Sequence, residues 1–243
     1  MTPGESGDAG SSAVVGLIRC APHEWPGLTV STVDLDPRSA ESPEKEVEAI
    51  VAELASPGGR DLALRQGIRY RLFHEPATED LPCPLKEGGT YLLLGGTGKL
   101  GPVVVEAISS QVRATIVLTG RDPDRVPDEH VRSLLDTARD RGCVVVHRKV
   151  DLVEPGALER LLDQLTTEHG RVDGVFHLAA HTETGDFPLL ADLDTGSALD
   201  LTEAKVVGAA GLYRALHGRD HDFVVLFSSI STIIGALRFG AYV

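Results

Sequence analysis

The chain has 243 residues, 42% of them hydrophobic, and carries 36 acidic against 23 basic side chains for a formal net charge of −13. That is long and apolar enough to fill the core of one large domain or two modest ones, which excludes a disordered tail, and the acidic balance would repel a phosphate backbone or an anionic membrane surface, which argues against nucleic-acid and membrane partners. Three widely spaced cysteines, Cys20, Cys83 and Cys143, offer neither a zinc spacing nor a disulfide framework and suit a reducing cytoplasm.

Residues 1–11 are rich in Gly, Ser, Asp and Glu without apolar periodicity and read as a flexible leader. They are acidic rather than basic ahead of a short apolar stretch, unlike a secretory signal. AVVGLIRC follows, and LTVSTVDLDP has the strand-like pattern Leu28-Val30-Thr32-Val33 ended by Asp36-Pro37. In SPEKEVEAIVAELAS, Ser42 precedes Pro43 at a first turn, acids come early, and Val47, Ile50, Val51 and Leu54 share a stripe, which predicts a helix. After the short runs DLALR and IRYRLF, the Pro- and Gly-rich stretch from Glu75 to Gly89 reads as a linker. Beyond it strands alternate with helices: Tyr91 to Leu94, Ala114 to Leu118, Cys143 to Val150, Gly174 to His177 and Phe223 to Phe227. Such alternation predicts an α/β fold with a doubly wound parallel sheet, and apolar runs such as VVVH and FVVLF suggest strands covered on both faces. The stretch Phe223 to Leu237 is interrupted by Ser228, Ser229, Ser231 and Thr232 and stopped by Arg238, short of the roughly 20 residues a membrane helix needs. It reads as buried sheet edge and loop.

The strand TYLLL runs into Gly95-Gly96-Thr97-Gly98-Lys99-Leu100-Gly101 and then a helical stripe, so Gly96-x-Gly98-x-x-Gly101 sits at a strand-to-helix turn. Glycines there let the backbone turn tightly and approach a pyrophosphate, which the helix N-terminus holds through its N–H groups and dipole. Gly96, Thr97, Gly98, Leu100 and Gly101 are therefore the candidate cofactor contacts of a Rossmann-like unit. A nucleoside-triphosphate loop does not fit, because Leu100 follows Lys99 and Leu93 stands where the first glycine should be. The second strand ends in VLTGRD, about 20 residues on, where an NAD site places an acid for the ribose hydroxyl. Arg121 stands there first and suits the 2′-phosphate of NADPH, with Asp122 beside it. Asp151, closing the third strand, either reaches the adenine or caps the helix that follows.

Lys205, Ser229 and Tyr242, spaced by 24 and 13 residues, come from three consecutive elements that end on the carboxyl side of the sheet. Hydride delivery to a carbonyl leaves an alkoxide that needs a proton. A tyrosine gives it readily when a nearby cation favours the phenolate, and a serine hydroxyl can hold the carbonyl oxygen. Singly, each residue also has a bland role: a solvated helix position, a strand-end cap, a packed ring.

YLLLGGTGKLG, VLTGRD, DGVFHLAA, LTEAKVVGAAGLY and FVVLFSSISTIIGALRFGAY, in that order, resemble the ketoreductase domain of modular polyketide synthases, within the short-chain dehydrogenase/reductase superfamily. Stand-alone short-chain dehydrogenases carry the lysine four residues after the tyrosine and an asparagine where this chain has Lys205; the polyketide ketoreductases exchange the two. VVGLIRCAPHEWPGLTVSTVDLD and LALRQGIRYRLF are similar to the later part of that family's non-catalytic structural subdomain. The resemblance implies residues 12–80 as part of a smaller α/β structural subdomain and 88–243 as an NADPH-binding catalytic subdomain lacking its C-terminal end. It also implies NADPH-dependent reduction of a β-ketoacyl thioester carried on the phosphopantetheine of an acyl carrier protein, within a synthase of neighbouring domains. Tyr242 would donate the proton, Ser229 would anchor the carbonyl, and Lys205 would tune the tyrosine; Lys205 and Tyr242 would also touch the cofactor.

Compared with the family, the first elements of the structural subdomain and everything past Tyr242 except Val243 are absent from the sequence, including the position of a catalytic asparagine. An unfinished sheet would expose an edge and apolar helix faces. Leu94 replaces a threonine, Ala180 and His181 replace a glycine, HTETGD lacks the Leu-Asp-Asp of one stereochemical type, and Ile234 stands in place of the tryptophan of the other. His177 and His181 fall on a strand end and a loop rather than one helix face, so no metal is expected. Two alternatives remain open on the sequence: a non-catalytic scaffolding or decayed piece, and a stand-alone short-chain dehydrogenase or sugar-nucleotide epimerase.

Overall fold

The computed structural model describes residues 9–35, 43–55, 61–65, 68–76, 83–122, 129–180 and 187–242. The first stretch forms α1 (Ala9–Glu24), β1 (Thr32–Leu35), α2 (Pro43–Ala55), β2 (Asp61–Arg65) and β3 (Ile68–Arg71). The three strands make a sheet in the order β1-β2-β3, with β1 parallel and β3 antiparallel to β2. AVVGLIRC is helical, and the helix already begins at Ala9, so residues 9–11 of the expected leader belong to its first turn while residues 1–8 lie outside the described residues. Gly16, Cys20 and Ala21 are buried on one face of α1, and Trp25-Pro26-Gly27 then reverses the chain, with Gly27 at φ +88° and Leu28 N bonded to Trp25 O. β1 consequently starts at Thr32, later than the Leu28 pattern predicted. The predicted helix α2 forms, yet Val47, Val51 and Leu54 of its stripe are exposed. No described element covers that stripe.

The second sheet is parallel throughout. Its elements are β4 (Thr90–Leu94), α3 (Gly101–Ser109), β5 (Thr115–Gly120), α4 (Glu129–Asp140), β6 (Val144–Lys149), α5 (Ala157–His169), β7 (Gly174–His177), α6 (Thr195–Leu216), β8 (Phe223–Leu226) and the short α7 (Ser231–Ile234). The order is β6-β5-β4-β7-β8, so the winding reverses between β4 and β7, the switch point at whose carboxyl end such sheets bind ligands. β4 alternates its side chains between two cores. Leu92 and Leu94 join Leu158, Leu161, Leu162 and Leu165 of α5 and Leu212 and Leu216 of α6, while Tyr91 and Leu93 join Val104, Val105 and Ile108 of α3 and Leu135 of α4. Each fully buried leucine stabilises the fold by about 1.5–3 kcal/mol. Covering on both faces holds for β4 and β5, not for the outer strands. Phe223 to Leu237, expected as buried edge and loop, is an edge whose Val224, Val225 and Leu226 are exposed, because an outermost strand has a neighbour on one side only. Among the described residues no helix is long and apolar enough to cross a membrane.

Candidate active site

The glycine loop lies at the carboxyl end of β4. Gly95 takes φ +73°, and a Cβ there would meet the Ala179 backbone at 2.6 Å. A Cβ at Gly101 would overlap the Gly96 carbonyl, standing 2.5 Å from its carbon, so α3 can start close beneath the turn only without a side chain there. The loop is knitted by Gly98 N to Gly95 O (3.0 Å), Gly101 N to Gly98 O (3.2 Å) and Thr97 N to Thr119 O (3.3 Å). No side chain caps α3. The opening amides of a helix have no intrahelical acceptor, and uncapped they suit an anion. This glycine cradle fits a dinucleotide pyrophosphate, with Thr97 half-buried and Gly98 and Leu100 exposed at its mouth. Sequence reasoning missed Thr119, fully buried in β5, whose hydroxyl accepts from Gly95 N at 3.2 Å and donates to Leu93 O at 3.4 Å. Its signal was available: β5 runs to Gly120, two residues past the predicted end, and places Thr119 beside the loop.

Arg121 and Asp122 follow β5 directly and are exposed. A Cβ at Gly120, just before them, would strike the Thr97 hydroxyl and stand 3.1 Å from the Thr97 Cβ, so Thr97 would have to shift. Asp151 accepts from Val153 N at 3.1 Å through one carboxylate oxygen, within the turn before α5; Gly156 stands at the N-cap of α5 with no side-chain cap, so the expected helix cap does not form.

Lys205 lies on α6, a helix opened by Asp194, whose carboxylate accepts from the Ser197 hydroxyl at 2.6 Å and from Ser197 N at 3.1 Å, bonds that hold its carboxyl below the usual carboxylate range. Lys205 Nζ donates to Phe227 O at 3.0 Å and stands 5.9 Å from the centroid of the Tyr242 ring. Burial pushes its ammonium below the usual lysine range. Phe227 continues β8, and two residues later Ser229 Oγ accepts from Ser231 N (3.2 Å) and from the Ser231 hydroxyl (2.8 Å). Tyr242 N bonds Phe239 O at 2.8 Å. Its ring lies 5.6 Å from Phe187 and 5.3 Å from Phe239, and those two are 5.2 Å apart. The structure thus brings Lys205 to both the segment before Ser229 and the ring of Tyr242. The expected departures at residues 181–186, HTETGD, lie outside the described residues; Ile234 is exposed, with its carbonyl bonded to His23 Nε2 at 3.0 Å.

The family model of the KR domain matches residues 89–243, the glycine loop through Tyr242. The chain belongs to the KR domain family. Polyketide synthase PksN of Bacillus subtilis is 26% identical over 230 residues, 93% of this chain and 4% of the synthase. A reducing polyketide synthase of Cochliobolus heterostrophus is 32% identical over 168 residues, 68% of this chain and 8% of that protein. Among solved structures, the ketoreductase from the first module of phoslactomycin biosynthesis in Streptomyces sp. HK803 covers all of this chain at 29% identity with a TM-score of 0.79, over 55% of its own length. A ketoreductase domain from the bacillaene assembly line covers 95% at 25% identity and TM-score 0.79, over 54% of its own length. The chain therefore spans a small part of the curated relatives and about half of these solved chains. It is a ketoreductase domain of the short-chain dehydrogenase/reductase fold, an oxidoreductase family that uses a nicotinamide cofactor. Within this KR domain, sequence reasoning also missed Phe187 and Phe239 around the tyrosine, and it considered His177, buried at the end of β7, only as a metal partner of His181. Burial and the nearby Lys205 charge push that imidazole below the usual histidine range.

Proposed function

We propose that this KR domain reduces a β-ketoacyl thioester, carried on the phosphopantetheine of an acyl carrier protein within a polyketide synthase, to the β-hydroxyacyl thioester with NADPH. In this reading residues 12–80 act as part of a structural subdomain and 88–243 as the cofactor-binding catalytic subdomain. The observation that carries it is Lys205, whose Nζ bonds Phe227 O and faces the Tyr242 ring, tying the serine and tyrosine segments to one cation. When bound, the cofactor supplies the hydride that makes a new C–H bond at the β-carbon. Ser229 Oγ, already accepting bonds from Ser231, donates its own proton to the ketone oxygen and holds the carbonyl. The Tyr242 hydroxyl breaks its O–H bond and gives that proton to the same oxygen, completing the alcohol. The Lys205 charge stabilises the phenolate left behind, and its partial burial strengthens that interaction.

Gly96, Thr97, Gly98, Leu100 and Gly101 would hold the pyrophosphate and Arg121 the 2′-phosphate, while Asp151 keeps one carboxylate oxygen for the adenine after bonding Val153 N. Lys205 and Tyr242 would meet the ribose. Cofactor consumption with a β-ketoacyl thioester tests the assignment. Tyr242→Phe is expected to lower kcat by about 10²-fold or more; equal rates in the two proteins would remove the catalytic role of Tyr242. Activity on free ketones but not on thioesters would instead support a stand-alone dehydrogenase.

A further inference from the structure

The segment between Ser229 and Tyr242 is held from an unexpected direction, by the first helix of the chain. Three side chains near the end of α1 reach it: Arg19 Nη1 donates to Thr232 O, His23 Nε2 bonds Ile234 O at 3.0 Å, and Glu24 Oε1 accepts from Arg238 N at 3.0 Å. The other oxygen of Glu24, Oε2, accepts from Leu190 N at 2.6 Å. One carboxylate therefore joins α1 to two segments far along the chain. Both lead to the tyrosine. The Leu190 side chain lies so close under Gly240 that a Cβ there would stand 3.0 Å from Leu190 Cγ, and Phe187, three residues before Leu190, packs on the Tyr242 ring.

Arg238 marks where the grip matters. Among the described residues it is the one non-glycine with a positive φ, +66°, a conformation in which its Cβ crowds the backbone. Such a conformation persists only where surrounding bonds over-determine it. Here those bonds are the amide's to Glu24 and the guanidinium Nε's to Phe187 O at 2.5 Å. Tyr242 follows four residues later, within a turn closed by Tyr242 N to Phe239 O.

We propose that Glu24 is a positioning residue for Tyr242: its carboxylate clamps the Leu190 and Arg238 amides together, so that the first helix sets the place of the tyrosine loop. The clamp itself stands on this geometry, whereas its consequence for turnover rests on the catalytic reading of Tyr242 above. Glutamine keeps the length of Glu24 but offers one acceptor oxygen, and its NH2 group would confront the second amide donor. Glu24→Gln should loosen the loop and expose the Arg238–Phe239 bond, since Arg238 is already exposed and opening governs cleavage.

Limited trypsin digestion of the full chain reads this directly. Cleavage after Arg238 is expected to quicken about tenfold or more in Glu24→Gln, the loss of a charge-assisted bond, with Glu24→Asp intermediate. Unchanged cleavage in a folded Glu24→Gln or Glu24→Asp would overturn the clamp, whether or not the chain turns over. In turnover, Glu24→Gln should lower kcat about tenfold while leaving the KM for NADPH within about twofold. Glu24→Asp, which keeps two acceptor oxygens, should recover part of the kcat loss. Wild-type kcat in Glu24→Gln beside an inactive Tyr242→Phe rejects the positioning role alone. A fully active Tyr242→Phe rejects the catalytic reading, and the digestion still decides the clamp.

Discussion

Replacing Gly101 by alanine tests the cofactor cradle at its tightest point. The new methyl group would overlap the Gly96 carbonyl, 2.5 Å from its carbon and 2.9 Å from the Gly96 Cα. Carbon atoms rest at about 3.5–4.0 Å, so loop and helix must part by roughly 1 Å. Neither neighbour is the free end of a side chain: both contacts are backbone, in a turn pinned by Gly98 N to Gly95 O and Gly101 N to Gly98 O. Overpacking of this kind costs about 1–3 kcal/mol, which for a chain of this size lowers Tm by about 2–12 °C. The same displacement moves the amides that would face the pyrophosphate, so NADPH affinity should fall about tenfold to a hundredfold. Gly98→Ala is the internal control, because its Cβ would sit 3.2 Å from Gly95 O and needs a shift of only a few tenths of an ångström. Thermal unfolding without ligand should therefore separate the two variants, and an NADPH fluorescence titration should show the affinity loss in Gly101→Ala. A Gly101→Ala protein with wild-type Tm and wild-type affinity would refute the argument that this glycine is needed for the close approach.

Arg121→Asp, at the end of β5, should weaken NADPH binding more than NADH binding by at least about tenfold; an unchanged ratio of the two dissociation constants would remove the arginine from the 2′-phosphate. His177 is 3% exposed and its imidazole is held below the usual histidine range, first by burial and then by the Lys205 charge. The unfolded chain takes up a proton as pH falls through the ordinary histidine value while the folded chain resists, so stability is full above that value and declines below it. The slope is at most about 1.4 kcal/mol per pH unit for one histidine. His147, shifted the same way by burial and Arg139, adds to it. Urea unfolding between pH 7 and 5 should show the decline, and His177→Asn should flatten it; an equal slope in the variant would mean that this histidine titrates normally.

The parts of the site that could be read from sequence are those whose chemistry demands contiguous residues. The glycine loop is such a case, since turn, close approach and helix start must follow within seven positions, and the structure shows each glycine pressed against backbone or side chain. Lys205, Ser229 and Tyr242 were legible as a candidate set from their chemistry and their place after consecutive elements, whereas the roles of each came from the resemblance, because nothing in their spacing alone says that α6 faces β8. The outer position of β8 was not legible: an apolar run such as FVVLF looks the same in the middle of a sheet as at its margin, and burial depends on neighbours set by topology. AVVGLIRC was ambiguous for a related reason, a short apolar run being compatible with helix or strand. Glu24, Phe187 and Arg238 lay beyond reach altogether, since their meaning comes from contacts across 214 residues in one case and 51 in another.

The bond from Arg19 to Thr232 spans 213 residues, and the strands between them pair largely with nearer neighbours. Closing so long a loop is entropically costly, and such contacts form late. The β4–β5–β6 half of the sheet can assemble as soon as residue 149 is available, whereas α1 must wait for α7. Refolding should therefore gain sheet signal before the fluorescence of Trp25, the single tryptophan, settles at the end of α1. A protein whose first helix docks last would acquire its tyrosine geometry as the closing event of folding, and a chain caught before that step would hold a formed cofactor cradle beside an unset proton donor.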